Sequence, residues 1–180
     1  NTFVIAKATA TVTLGNLSQT YDGSSHTVSA TTTPAGLTVA LTYNGSSTVP
    51  TAAGSYTAVG TINDANYTGS ATGTLVIGKA AATISLSNLL QTYNGSSHGA
   101  TATTIPGGLA IAMTYNGSAT QPTNAGSYTV VATVSDANYS GAVTNTFVIA
   151  KATATVTLGN LSQTYNGSSH TVSATTTPAG

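Results

Sequence analysis

The chain has no cysteine and no tryptophan, and charge is nearly missing: 3 Lys+Arg stand against 3 Asp+Glu in 180 residues, for a formal net charge of zero. Globular domains ordinarily carry roughly a quarter of their residues as charged groups, so this composition lies far from the usual soluble range. Each absence excludes something. Without cysteine there are no disulfides, no thiol catalysis and no zinc-cysteine sites, and the redox compartment stays open. With no basic patch, nothing drives binding to a phosphate backbone, so nucleic acid is not an expected partner. The longest apolar runs, such as Phe147-Val148-Ile149-Ala150, fall far short of the about 20 residues of a membrane-spanning helix, and no membrane insertion is expected. The first residues do not read as a signal peptide, so export information is expected outside this stretch or already removed.

What is present is repetition. "FVIAKA" at 3–8 returns as "LVIGKA" at 75–80 and as "FVIAKA" at 147–152, a spacing of 72 residues each time. "QTYDGSSH" at 19–26 returns as "QTYNGSSH" at 91–98 and 163–170, "AGSYT" at 53–57 returns at 125–129, and "DANY" at 64–67 returns at 136–139. Residues 145–180 repeat residues 1–36 except that Asn166 replaces Asp22, whereas the middle copy differs at many positions, so the higher unit is a pair of repeats 144 residues long. Fixed periods of this kind mark repeat architectures. The expected organisation is the last strand of a preceding repeat at 1–8, complete repeats at 9–80 and 81–152, and the start of a third, incomplete repeat at 153–180. On this reading the stretch is a window on a longer array.

Within each repeat, apolar and polar residues alternate over short runs broken by Gly, Pro and Asn, the pattern of half-buried strands. Leu37, Val39, Leu41 and Tyr43 share one face, and Leu109, Ile111, Met113 and Tyr115 keep that phase in the next copy. The same alternation turns Val12 and Leu14, Val28 and Ala30, Tyr128, Val130, Ala132 and Val134, and Phe147 and Ile149 inward. About six strands per repeat are expected, with Tyr-Asn-Gly, Pro-Ala-Gly and Asp-Ala-Asn as turns. Helix-period segments are absent. The fold class is therefore all-β, a tandem array of small immunoglobulin-like β-sandwiches, and the Ala-Gly-Ser-Tyr opening of a late strand resembles a tyrosine corner. Units this small bury modest cores and lean on their neighbours. The closing strand runs into the next repeat without a Gly/Ser or Pro linker, which predicts a short, stiff junction.

The ordered set of Tyr-Asp/Asn-Gly, a second Tyr-Asn-Gly, Pro-Thr-x-Ala-Gly-Ser-Tyr-Thr, Asp-Ala-Asn-Tyr-x-Gly and a closing Ile-x-Lys-Ala resembles the MBG/YDG-type repeats of large bacterial surface adhesins. That resemblance covers the whole chain. It implies an extracellular, tandemly repeated immunoglobulin-like module in a very long secreted or cell-wall protein, and the family label suggests mucin binding.

Candidate chemistry is sparse. His26, His98 and His170 recur once per repeat beside Ser-Ser, but a zinc site needs about four converging ligands, and Asp22, Asp64 and Asp136 are too few carboxylates for calcium. These histidines read as surface turn residues, and no metal or other cofactor is expected. Ser, His and Asp meet in "DGSSH", yet Asn replaces the acid in the other copies, and a nucleophilic triad needs one deep, oriented site. No enzyme is expected. One Lys per repeat (Lys7, Lys79, Lys151) among many Asn raises an intramolecular isopeptide cross-link, with Lys79, Lys151, Asp64 and Asp136 as candidates. The plainer reading extends each ammonium to solvent. Asn-x-Ser/Thr triplets fall at Asn16, Asn44, Asn66, Asn94, Asn116, Asn138, Asn160 and Asn166, candidates for glycosylation that also fit simple turn chemistry. Tyr21, Tyr43, Tyr56 and Tyr67 suit core and turn packing, with the hydroxyl finding a partner, better than a glycan-stacking face.

The expected function is a stalk or fibre-forming segment of a long extracellular bacterial repeat protein, an adhesin or surface filament. Its expected partners are neighbouring repeats and other copies of itself. The alternatives are a glycan- or mucin-binding module acting through avidity and a filament subunit completed by strand exchange between chains.

Overall fold

The computed structural model describes residues 2–178, all strand, turn and coil, with no helix among them. Asn1, Ala179 and Gly180, which the sequence reading assigns to the first and last stretches, lie outside the described residues.

The first repeat is built from β1 (Ala8–Thr9), β2 (Thr11–Gly15), β3 (Ser18–Thr20), β4 (Ser29–Thr33), β5 (Val39–Tyr43), β6 (Gly54–Ile62), β7 (Tyr67–Thr68) and β8 (Ser70–Gly78). The second uses the same plan: β9 (Ala80–Ala81), β10 (Thr83–Ser87), β11 (Leu90–Thr92), β12 (Thr101–Ile105), β13 (Ile111–Tyr115), β14 (Gly126–Val134), β15 (Tyr139–Ser140) and β16 (Ala142–Ala150). Then come β17 (Thr155–Gly159) and β18 (Ser173–Thr177). Each full set has eight strands where alternation predicts about six. The extra ones are two or three residues long, too short to show a period.

β2 and β4 pair antiparallel, and β3, β8, β6 and β5 form a four-stranded sheet in that order. β5, β6 and β8 are antiparallel neighbours, while β3 joins β8 in parallel, Ser18 opposite Val76 and Gln19 opposite Ile77. The second repeat has the same orders, β10-β12 and β11-β16-β14-β13. Alternation sets the faces as the sequence implies: Leu37, Val39 and Leu41 are half-buried and Tyr43 is buried, while Thr38 and Ala40 are exposed.

By its internal contacts the chain divides into two compact units. One holds the residues up to Ser85 with Ala102–Met113 and Val131–Val143; the other holds Leu86–Thr101, Thr114–Val130 and the residues from Thr144 onward. In the first unit, Val28, Tyr43, Ala58, Leu75 and Ile77 make one core, with Leu14 and Leu17 packed on it, and Ala10, Val12 and Ile62 make a second. In the second unit, Ala100, Tyr115, Val130, Phe147 and Ile149 make the equivalent of the first core. Phe147 replaces Leu75 and meets Tyr115 edge on at 5.4 Å, so the divergent copies reach the same packing with different volumes.

Tyr43 and Tyr115 act as buried polar posts. The Tyr43 hydroxyl accepts the Val28 amide at 3.0 Å and the Tyr115 hydroxyl accepts the Ala100 amide at 2.8 Å, satisfying main-chain donors that would otherwise be buried unpaired. The tyrosine corner is present in both repeats: the Tyr56 hydroxyl donates to the Ala52 carbonyl, and that of Tyr128 to the Asn124 carbonyl, each at 2.9 Å.

The strand expected at residues 1–8 is not formed over residues 2–7. Phe3, Val4 and Ile5 are 87%, 76% and 82% exposed, whereas Phe147 and Ile149, in the same local sequence, are 0% and 2% exposed. At 147–149 the strand lies between β11 and β14; among the described residues no such pair flanks 3–5. Burial here depends on neighbours and not on the letters themselves.

Candidate functional site

The six-residue motif Asp-Ala-Asn-Tyr-x-Gly builds the most specific polar arrangement in the chain. Asp136 folds it into a turn, its Oδ1 accepting the amides of Asn138 at 2.7 Å and Tyr139 at 3.0 Å; Asp64 does the same for Asn66 and Tyr67 at 2.7 and 3.0 Å. The turn leads into β15, which pairs in parallel with β9, Tyr139 opposite Ala80 and Ser140 opposite Ala81. Gly141 closes the motif because a Cβ there would run into the Ala82 carbonyl oxygen, and Gly69 stands in the same relation to Ala10. Lys79, which joins β8 to β9, donates its Nζ to the Asp136 carbonyl at 2.6 Å, and Lys7 reaches the Asp64 carbonyl at 2.7 Å.

From this turn two side chains reach back to the preceding repeat. Asn138 Oδ1 accepts the Ala53 amide at 2.9 Å, and the Tyr139 ring meets Tyr21 edge to face, centroids 5.4 Å apart. Ala53 belongs to the Ala-Gly-Ser-Tyr corner and Tyr21 to the Tyr-Asp-Gly turn, so three recurrent motifs converge at one inter-repeat junction, all within the first compact unit.

The candidate cross-linking residues are engaged otherwise. The Lys79 ammonium sits on a main-chain carbonyl, and the Asp136 carboxylate is held by two amides of its own turn. Lys79 thus does more than extend to solvent. Lys151 lines a pocket with Tyr93, Asn124 and Ala125.

The candidate glycosylation residues sit in turns. Asn16 and Asn160 have φ of 55°, Asn44 and Asn116 of 48°. Asn44 and Asn116 accept the amides of Thr57 and Thr129 at 2.8 Å, while Asn94 and Asn166 accept those of Ser96 at 2.9 Å and Ser168 at 3.0 Å. Asn66 is exposed, and Asn138, its equivalent, is half-buried at the junction.

The three histidines differ. His26 is buried, contrary to its reading as a surface residue: its Nδ1 lies 2.9 Å from Gln19 Oε1, and its amide donates to the Pro50 carbonyl. Its Nε2 lies 3.2 Å from Asp22 Oδ1, within ion-pair distance but off the line of a hydrogen bond. His98 is half-buried and His170 exposed. The Ser24 amide bonded to Asp22, with His26 nearby, holds the Asp22 carboxyl below its ordinary value. Among the described residues no group of three or more His, Cys, Asp or Glu comes together.

The junction is protein recognising protein, repeat to repeat, in an all-β tandem-repeat architecture. The model of the MBG domain family matches residues 10–81, 82–153 and 154–180, and the chain belongs to that family. No curated protein matches it. The sites that tie the array together, Ala53 to Asn138 and Tyr21 to Tyr139, were missed in sequence reading, although the recurrence of Asp-Ala-Asn-Tyr-x-Gly marked their location.

Proposed function

We propose that this chain is a stalk or fibre-forming segment of a long extracellular bacterial repeat protein, an adhesin or surface filament. The observation that carries the reading is the junction: the Asn138 side chain takes the Ala53 amide across a repeat boundary while β8 leads into β9 through Lys79 alone. A linker of one residue with polar and aromatic contacts beside it favours force-bearing continuity over independent, loosely tethered domains. The Thr- and Ser-rich outward faces and near-zero charge suit a surface array hydrated through hydroxyl groups, whose neighbours do not repel one another.

Small-angle scattering of the chain against an Asn138→Ala/Tyr139→Ala variant tests this. The reading expects a narrower distribution of inter-repeat distances in the native chain than in the variant. Equal distributions would reject the junction as the source of stiffness.

A further inference from the structure

The residues downstream of the second repeat carry a surface that the first repeat shows how to cover. β17 and β18 pair antiparallel in the register of β2 and β4, Leu158 opposite Ala174 as Leu14 is opposite Ala30. Yet Val156 is 65% exposed where Val12 is 6%, and Val172 is 60% exposed where Val28 is 3%. In the first repeat the cover comes from β5, β6 and β8. Beside β17, Tyr93, Asn124, Ala125 and Lys151 help to line a pocket of about 330 Å³. They hold the positions that Tyr21, Ala52, Ala53 and Lys79 hold 72 residues earlier, where Asn138 and Tyr139 are seated.

We propose that residues 153–178 of one copy of this chain and residues 37–78 of a second copy fold together as one complete sandwich, seating the second copy's Asn66–Tyr67 turn in the pocket at Tyr93. The occupant is fixed by sequence. Residues 145–180 match 1–36 except for Asn166 in place of Asp22, so residues 153–178 present to a second copy the same side chains that its own first strands present. That single difference is neutral in the turn, because Asn166 accepts the Ser168 amide as Asp22 accepts that of Ser24. Exchange covers one set of strands and uncovers an identical one, so the sandwich contacts balance. What is added is the junction: Tyr93 against Tyr67 and the Ala125 amide on Asn66, the counterparts of Tyr21 with Tyr139 and of Ala53 with Asn138. Exchange of identical elements between copies is a low-cost route to association and a recurrent event in repeat proteins. The inference stands apart from the stalk reading, since copies can exchange strands whether or not the array bears load.

The absence of native cysteine permits a direct test. Ser18 is the ladder partner of Val76, so an exchanged pair places Ser162 of one copy opposite Val76 of the other. Both positions are exposed, and Ser162→Cys/Val76→Cys leaves the cores intact. The double variant is refolded from denaturant over a range of chain concentrations, oxidised, and mapped by peptide mass spectrometry. The expected result is a 162-to-76 disulfide between copies, its ratio to monomer rising about tenfold for tenfold more chain, and about two- to tenfold less of it when Tyr93→Ala is added. Monomer alone at every concentration, or only the 162-to-162 and 76-to-76 disulfides that the single variants form, would overturn the exchange. A yield indifferent to Tyr93→Ala would overturn the pocket as its seat.

Discussion

Tyr21 and Tyr139 meet at 82° between ring planes, one from each of two consecutive repeats, with centroids 5.4 Å apart. This contact and the neighbouring Ala53 amide on Asn138 Oδ1 make the boundary between repeats a packed interface. Four motifs that look separate along the chain, Tyr-Asp-Gly, Ala-Gly-Ser-Tyr, the closing Lys-Ala and Asp-Ala-Asn-Tyr-x-Gly, are halves of that one contact.

Tyr139→Ala is expected to remove about 0.5–1.5 kcal/mol of aromatic pairing beyond the buried area it loses. Asn138→Ala is expected to cost about 1 kcal/mol by leaving the half-buried Ala53 amide without its acceptor. Calorimetric unfolding checks both: the transition should drop and broaden as the repeats uncouple. The equivalent Asn66→Ala, at an exposed residue, should have a smaller effect.

Gly141→Ala is expected to cost about 1–3 kcal/mol, because the new Cβ meets the Ala82 carbonyl and β9 must separate from β15. Gly107→Ala provides the contrast: its added Cβ finds the Thr104 carbonyl oxygen at 4.0 Å, an ordinary contact, and stability should hold or rise slightly. Urea titration of the two variants distinguishes a packing requirement from a general glycine effect.

Much of the first repeat is legible from its letters, and the reasons are physical. Val39, Leu41 and Tyr43 alternate with exposed residues, and burial follows that period through β5. β3 and β9 were not legible, since strands of three and two residues carry no periodic signal and their parallel partners are distant in sequence. The candidate site was legible only as a recurring motif, because the Asn138 acceptor and the Ala53 amide are 85 residues apart. His26 was read as a surface turn residue; its imidazole is buried beside Gln19 by contacts that composition does not reveal.

Tyr115→Phe is expected to cost about 1–3 kcal/mol, since it deletes the hydroxyl that accepts the buried Ala100 amide. Phe147→Ala, which empties a fully buried position, should cost about 3–5 kcal/mol. Thermal unfolding should rank these two in that order.

Asp22 sets an acid limb. Its carboxyl is held below the ordinary value, first by the Ser24 amide, so the folded state binds the proton less readily than the unfolded chain. The stabilisation is therefore present above the unfolded carboxylate range and is lost as pH falls through the folded value. Asp22→Asn should leave stability near neutral pH almost unchanged, as Asn94 in the equivalent turn suggests, and flatten the acid limb. Paired acid titrations followed by circular dichroism check this.

The most direct test of the central claim, that the junction makes consecutive repeats one stiff element, is contour length by electron microscopy on arrays of increasing repeat number. The account predicts end-to-end length growing in proportion to the number of repeats, by one constant increment per 72 residues. Growth as roughly the square root of that number, the law of a flexible chain, would contradict it.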